Sequence, residues 1–197
     1  NNEGQLEAPD QEFRALAAGH HFTCGLGLDS FVSCWGDVPI NMPENQRFLS
    51  IKAGRDFVCG ISESKRLHCW GAFEQGQTEP PDFEGELVDY ELGNAHACLL
   101  NSSGQVQCWG RSTEGQVDVP EDLMAETFVD LDVGYYHSCG LTTEQRVYCW
   151  GTDYEGSIDA PPVLANALWT GYHHNCALNP LQQAICWGGQ SYGLSGG

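Results

Sequence analysis

Ten cysteines hold most of the chemistry in this sequence, and their spacing is regular. They come as Cys24 and Cys34, Cys59 and Cys69, Cys98 and Cys108, Cys139 and Cys149, and Cys176 and Cys186, each pair ten positions apart. The second cysteine of each pair is followed at once by Trp-Gly, as in "HACLLNSSGQVQCWG" from His96 to Gly110. Two chemistries suit cysteines in such numbers, disulfide bonding and zinc ligation. Structural zinc sites favour closely spaced Cys-x-x-Cys pairs, and the sequence has none. Cysteines that face each other across a hairpin can bond if they occupy a non-hydrogen-bonded pair. Setting Cys98 opposite Cys108 puts Leu99 opposite Gln107 and Leu100 opposite Val106, around a turn at Asn101 to Gln105. The spacing therefore predicts five short-range disulfides, one within each pair.

The other reactive side chains form no comparable pattern. Serines, histidines and carboxylates are present, but no spacing marks a nucleophile elbow, a metalloprotease helix or a carboxylate pair. No Asp-rich loop has the spacing of calcium ligands. Neither catalysis nor a cofactor nor a resident metal is expected. A closed ring would bring His20 and His21 towards His173, where zinc or nickel could bind, but surface histidines are mostly unliganded. Asn101-Ser102-Ser103 is a glycosylation sequon on a turn expected to be exposed.

The elements that must position the cysteines repeat with them. Five residues before each first cysteine stands a glycine: Gly19, Gly54, Gly93, Gly134 and Gly171, spaced 35, 39, 41 and 37 residues apart. That period belongs to repeat architectures. Before each glycine runs an alternating segment such as "FRALAAG" or "FVDLDVG", with Leu16, Ile51, Tyr90, Leu131 and Leu168 in register. A period of two marks a half-buried strand. A second strand carries the first cysteine, a polar turn follows, and a third strand ends in Cys-Trp-Gly. The tryptophans are expected to fill space between neighbouring sheets. Turn-rich connectors such as "EGQVDVP" join the repeats, and no amphipathic helix is apparent. The fold expected is all-β, a β-propeller of five blades with three to four short antiparallel strands and one disulfide each. A solenoid is the rival, with repeats that are usually shorter and ends that need caps. "NNEGQLEAP" aligns with the connector "RSTEGQVDVP", so residues 1–197 are read as one propeller domain whose N-terminal segment closes the ring.

Five disulfides imply an oxidising compartment: secreted, at a cell surface, or periplasmic. No apolar run is long enough for a transmembrane helix, so membrane insertion is not expected. With 27 acidic against 8 basic residues the net charge is −19, which argues against nucleic acid as a partner. Acidic density serves solubility and would also attract a basic partner.

"AGHHFTCGL", "VSCWG", "VGYYHSCGL", "VYCWG" and "WGRSTEGQVDVP" together resemble repeats of the regulator of chromosome condensation family across essentially the whole chain. The short period is similar to that of a secreted β-lactamase-inhibitory propeller, and the paired cysteines to Crinkly-type plant receptor ectodomains. The resemblance implies a loop face that grips a partner protein. Position by position it implies His20, His21, Arg55, Asp56, Asn94, Ala95, Tyr135, Tyr136, Tyr172 and His173 in the loops after the repeat glycines. The loops after Trp-Gly add Phe73, Glu74, Arg111, Asp153, Tyr154 and Tyr192. Tyrosines, arginines and histidines suit recognition. The next slot, Phe22, Phe57, His96, His137 and His174, is expected to be structural. A protein ligand is the leading expectation. Carbohydrate at one composite aromatic site and self-assembly into a filament or surface layer are the alternatives.

Overall fold

In the computed structural model, residues 3–189 are described; Tyr192 and the last connector lie outside them. The fold is all-β, five sheets of three antiparallel strands, one sheet per repeat. The first blade holds β1 (Phe13–Ala18), β2 (Phe22–Gly27) and β3 (Val32–Gly36); the second holds β4 (Phe48–Ala53), β5 (Phe57–Ser62) and β6 (Leu67–Gly71). The third comprises β7 (Leu87–Leu92), β8 (His96–Asn101) and β9 (Val106–Gly110). The fourth has β10 (Phe128–Val133), β11 (His137–Thr142) and β12 (Val147–Gly151), and the fifth β13 (Ala167–Thr170), β14 (His174–Leu178) and β15 (Ala184–Gly188). A single 3₁₀ turn, Glu121–Leu123, is the one helical element among the described residues. Among the described residues no helix is long and apolar enough to cross a membrane. The chain divides into two compact units, one up to Pro80 with two blades and one from Pro81 with three.

All five predicted disulfides are formed, with Cα atoms 4.0 to 4.1 Å apart. The register explains the close approach. Asn101 N–H bonds to Gln105 O at 3.1 Å at the turn, and strict alternation then makes Cys98 and Cys108 a narrow, non-hydrogen-bonded pair. No cysteine is left free.

Packing within each blade follows a rule of complementary volume. Phe13, Phe48 and Phe128 begin their strands, and each lays its ring on the glycine after the first cysteine of its own blade. A Cβ at Gly25, Gly60 or Gly140 would meet that ring at 2.3, 2.7 or 2.5 Å. Where the third and fifth repeats have Leu87 and Ala165 instead of Phe, the glycine becomes Leu99 or Ala177. Close packing leaves no room for both partners to be large. The tryptophans fill space as expected: Trp70, Trp109, Trp150 and Trp187 are buried, and Trp70 and Trp150 lie 5.3 and 6.4 Å from Phe48 and Phe128. Within the first unit Ile51 shares a core with Cys24 and Leu26 of the preceding blade. Within the second, Leu131 packs with Cys98 and Leu100, and Leu168 with Cys139 and Leu141. Leu16, predicted in the same register, is instead 63% exposed, because its unit places no earlier blade against that face.

The connectors are tied to the blade that follows them. Trp35, Trp150 and Trp187 donate their indole N–H to the backbone carbonyls of Gln5, Gln116 and Ser157, at 2.9, 3.1 and 3.2 Å. These three acceptors occupy the same place in "EGQ" or "EGS". The N-terminal segment therefore serves the first blade.

The structural slot is buried in the first four repeats and half-buried at His174 in the fifth. His96 donates from Nε2 to Ser138 Oγ of the next blade at 3.1 Å, since that hydroxyl is itself spent on Gln116 O at 2.9 Å. His137 donates in the same way to Asn175 Oδ1 at 2.7 Å, and Asn175 Nδ2 donates to Ser157 O at 2.6 Å. His96 Nδ1 has no hydrogen-bond partner, so only the neutral ring fits. Burial first, then the neighbouring His137, lowers its pKa to about 3. Unit 1 builds the equivalent positions from Phe22 and Val58, which lie in one apolar cluster.

Candidate functional site

The two loop sets assigned to the recognition face are built by two glycines per repeat. At the first, the N–H of Gly134 bonds to His137 O at 2.9 Å, and a Cβ would meet the His137 ring at 2.3 Å. The same N–H to C=O closure recurs at Gly19, Gly54, Gly93 and Gly171. The two intervening residues form the tip of a tight turn. At the second, the glycine of Trp-Gly turns back against that tip. Gly151 has φ +109°, and a Cβ there would lie 2.7 Å from Tyr136 O. The following Thr152 N–H donates to that same carbonyl at 3.0 Å. Asp37, Ala72 and Arg111 do likewise to His21, Asp56 and Ala95. The first four blades thus couple their two loops through one carbonyl each. Gly151→Ala is expected to destabilise the protein by roughly 2 kcal/mol or more, from left-handed backbone strain and the clash; a lower urea midpoint at unchanged slope checks it.

In the first unit, His20 and His21 touch at 3.8 Å between ring centroids, and Arg55 pairs with Asp56 at 3.2 Å. His20 N–H reaches Arg55 O at 2.8 Å, joining the two tips. His21, Asp56 and Glu74 line a cleft of about 230 Å³ with Asp37 and the apolar Val38, Pro39 and Ile40. Phe73 is 51% exposed.

The second unit gathers its aromatic tips into one cluster. Tyr135 lies 4.4 Å from Tyr136 and 4.0 Å from Tyr172, and Tyr172 lies 4.3 Å from His173. Tyr154, from the loop after Trp-Gly, stacks on His173 at 3.9 Å with the planes 21° apart. The Arg111 guanidinium sits 5.2 Å over the Tyr136 ring, a cation–π geometry. Tyr172 is 56% exposed, while the other rings are half-buried. Burial, reinforced by Tyr135, raises the Tyr136 pKa; burial lowers that of His173 against the pull of Glu155.

A residue outside the sequence assignment holds this cluster in place. Glu114 forms an ion pair with Arg111 and accepts hydrogen bonds from Arg111 Nε, Thr113 Oγ1 and Gln116 Nε2 at 2.9, 2.7 and 2.8 Å. Burial opposes its charge, but the bonds from Thr113, Gln116 and Arg111 outweigh it and keep its pKa below the ordinary glutamate value. The hydrogen bond that Arg111 donates to Glu114 is the main reason its own pKa is raised. The signal was the recurring "EGQ", in which Glu114 follows Arg111 by three residues.

Two expectations are corrected. Asn94 is buried at 8% exposure and offers little surface at its tip. Asn101 does lie on the hairpin, yet it is only 4% exposed: Nδ2 donates to Glu84 O at 3.0 Å, and Oδ1 accepts from Ser103 and Gln105 N–H. The amide that would carry a glycan is a turn-former with its nitrogen engaged. Asp153 is exposed beside Tyr154. Among the described residues no group of three or more His, Cys, Asp or Glu is placed to hold a metal ion.

Comparison with known proteins agrees with this architecture. The pattern of the regulator of chromosome condensation (RCC1) repeat matches residues 48–77, 91–116 and 128–157. The CRINKLY WD40 ectodomain of the Arabidopsis thaliana receptor kinase ACR4 is similar over 93% of this chain and 71% of its own, with 26% identity and a TM-score of 0.76. The entire ectodomain of the Physcomitrella patens receptor kinase CR4 is similar over 93% and 54%, at 22% identity and a TM-score of 0.74. Prp20p of Saccharomyces cerevisiae is similar over 88% and 56%, at 17% identity and a TM-score of 0.69. The chain thus spans little more than half the length of the latter two. No curated protein sequence matches it.

Proposed function

For this chain, an RCC1-like repeat protein with a disulfide in every blade, we propose a non-enzymatic role as an extracellular module that recognises a partner protein through its loop face. The observation that carries this reading is the cluster of Tyr135, Tyr136, Tyr154, Tyr172 and His173 with Arg111, all on loop tips braced by backbone hydrogen bonds. Tyrosine and arginine give large contact area at low entropic cost, and they dominate the energetics of recognition surfaces. Within the second unit the tips differ chemically, Asn-Ala, Tyr-Tyr and Tyr-His, which suits one composite epitope over several equal pockets. Extracellular placement is supported by the disulfides, which persist in oxidising compartments, and by similarity to receptor ectodomains. The partner class is supported by Prp20p, whose binding properties concern Gsp1p and histones.

The test is binding of the oxidised protein to an array of extracellular proteins, with a glycan array beside it. A protein ligand is expected whose affinity falls at least tenfold in the Tyr135→Ala/Tyr136→Ala variant, since truncating one hot-spot tyrosine costs about 2 kcal/mol. Tyrosine-dependent signal on glycans alone would make the module a lectin. Signal on neither array would remove the recognition reading.

A further inference from the structure

We propose that the aromatic cluster of the second unit takes arginine side chains from a basic, extended segment of its partner; this rests on the reading of that face as a protein-binding surface. The cluster contains its own precedent. The guanidinium of Arg111 lies over the Tyr136 ring at 5.2 Å, so this set of tyrosines already receives an arginine in the geometry a partner would use. In the adjoining pair, Tyr135 and Tyr172, the ring centroids lie 4.0 Å apart with the planes tilted by 33°, and Tyr172 offers more than half of its surface to solvent.

Charge selects the sign of the ligand. From residue 81 to 197 the sequence holds sixteen aspartates and glutamates against two arginines, Arg111 and Arg146, and no lysine. Arg111 is matched by Glu114, so it adds little positive field to the face. Asp153 and Glu155 flank Tyr154. His173, with its pKa lowered by burial, adds no charge near neutral pH. An anionic partner would meet repulsion here, whereas a cationic one is steered in and received by ring faces. Arginine fits better than lysine because its planar, weakly hydrated guanidinium stacks on tyrosine.

The experiment is fluorescence anisotropy of the intact oxidised protein with labelled hexa-arginine, hexa-serine and hexa-glutamate amides. Hexa-arginine is expected to bind, more weakly as salt rises, with no measurable binding of the other two. Tyr172→Ala should weaken it about fivefold, the effect of one exposed cation–π contact, and Tyr172→Phe should restore it to within about twofold. Tyr172 is more than half exposed and lies outside the buried core, and an unchanged far-ultraviolet spectrum and urea midpoint verify the fold. Equal binding by the Tyr172→Ala variant would mean that net charge acts without the rings, and it overturns the proposal. Equal binding of hexa-serine overturns it too. A tyrosine-dependent ligand on the protein array together with no hexa-arginine binding overturns this inference alone. Absence of any tyrosine-dependent protein ligand overturns the reading beneath it.

Discussion

Excess dithiothreitol is expected to unfold this protein in plain buffer, abolishing its cooperative thermal transition and its near-ultraviolet tryptophan signal. Each disulfide closes a loop of ten-residue separation, and a loop of that size contributes up to about 3 kcal/mol through the unfolded chain. Five such contributions match or exceed the whole stability of an ordinary domain, about 5–15 kcal/mol. The alternative support is thin, since every sheet has only three strands and stands on its contacts with neighbouring blades. Reduction should also be slow without denaturant, because Cys24, Cys59, Cys98 and Cys139 are essentially inaccessible to solvent. The single double variant Cys98→Ala/Cys108→Ala should cost about 2–3 kcal/mol and leave a cooperative transition. A fully reduced sample that kept a transition within about 3 kcal/mol of the oxidised one would show that packing between blades, not the cross-links, dominates.

His137→Phe is expected to destabilise the protein by about 2 kcal/mol at neutral pH, and Asn175→Val added to it should recover most of that loss. The single change strands Asn175 Oδ1 in the interior, the side chain it faced now having no donor, and a buried unsatisfied acceptor costs about 1–3 kcal/mol. The second change makes the pair apolar on both sides, as Phe22 and Val58 are in the first unit. Ser157 O keeps the Trp187 indole N–H as a donor after Asn175 is lost. Urea denaturation of the two single variants and the double variant measures the coupling as a cycle. Independent losses would mean that the two side chains do not act as a pair.

The same slot makes the fold sensitive to acid. Because the folded pKa of His96 is about 3 against an unfolded value near 6.5, the unfolded chain takes up the proton first as pH falls. Its contribution is full above about pH 6.5 and is lost progressively down to about pH 3, up to on the order of 5 kcal/mol. His137, lowered by burial against its bond to Asn175, acts in the same direction. Glu114, held below its ordinary value, also loses stabilisation on protonation. Asp130 works the other way: burial first, then Asp89 and Asp132, raises its pKa, so acid relieves it. A steep fall in urea midpoint between pH 6.5 and 4, reduced by the His137 share but not abolished in the paired apolar variant, which keeps His96, is the expected outcome.

The sequence by itself determined the blades, the disulfide partners and their register, because these depend on local spacing. Ten positions between cysteines, a polar turn and strict alternation admit one hairpin geometry, so Leu99 meets Gln107 in the structure as the count requires. The turns at the loop tips were equally legible, since each repeat glycine closes its turn by an N–H bond to the carbonyl three residues on. What only the tertiary structure decided is which tips face one another and which polar side chains point inward. Asn101 and Asn94 read as surface residues in a chain-order view, and packing buried both. His96 and Ser138 are 42 residues apart, and nothing in either repeat alone marks them as partners. Tyr135, Tyr154 and Tyr172 become one surface only when the fourth and fifth repeats are folded, and Glu114, from the connector of the third, fixes the Arg111 that borders it. Local spacing acts within one hairpin, whereas contacts between repeats depend on how blades pack in space.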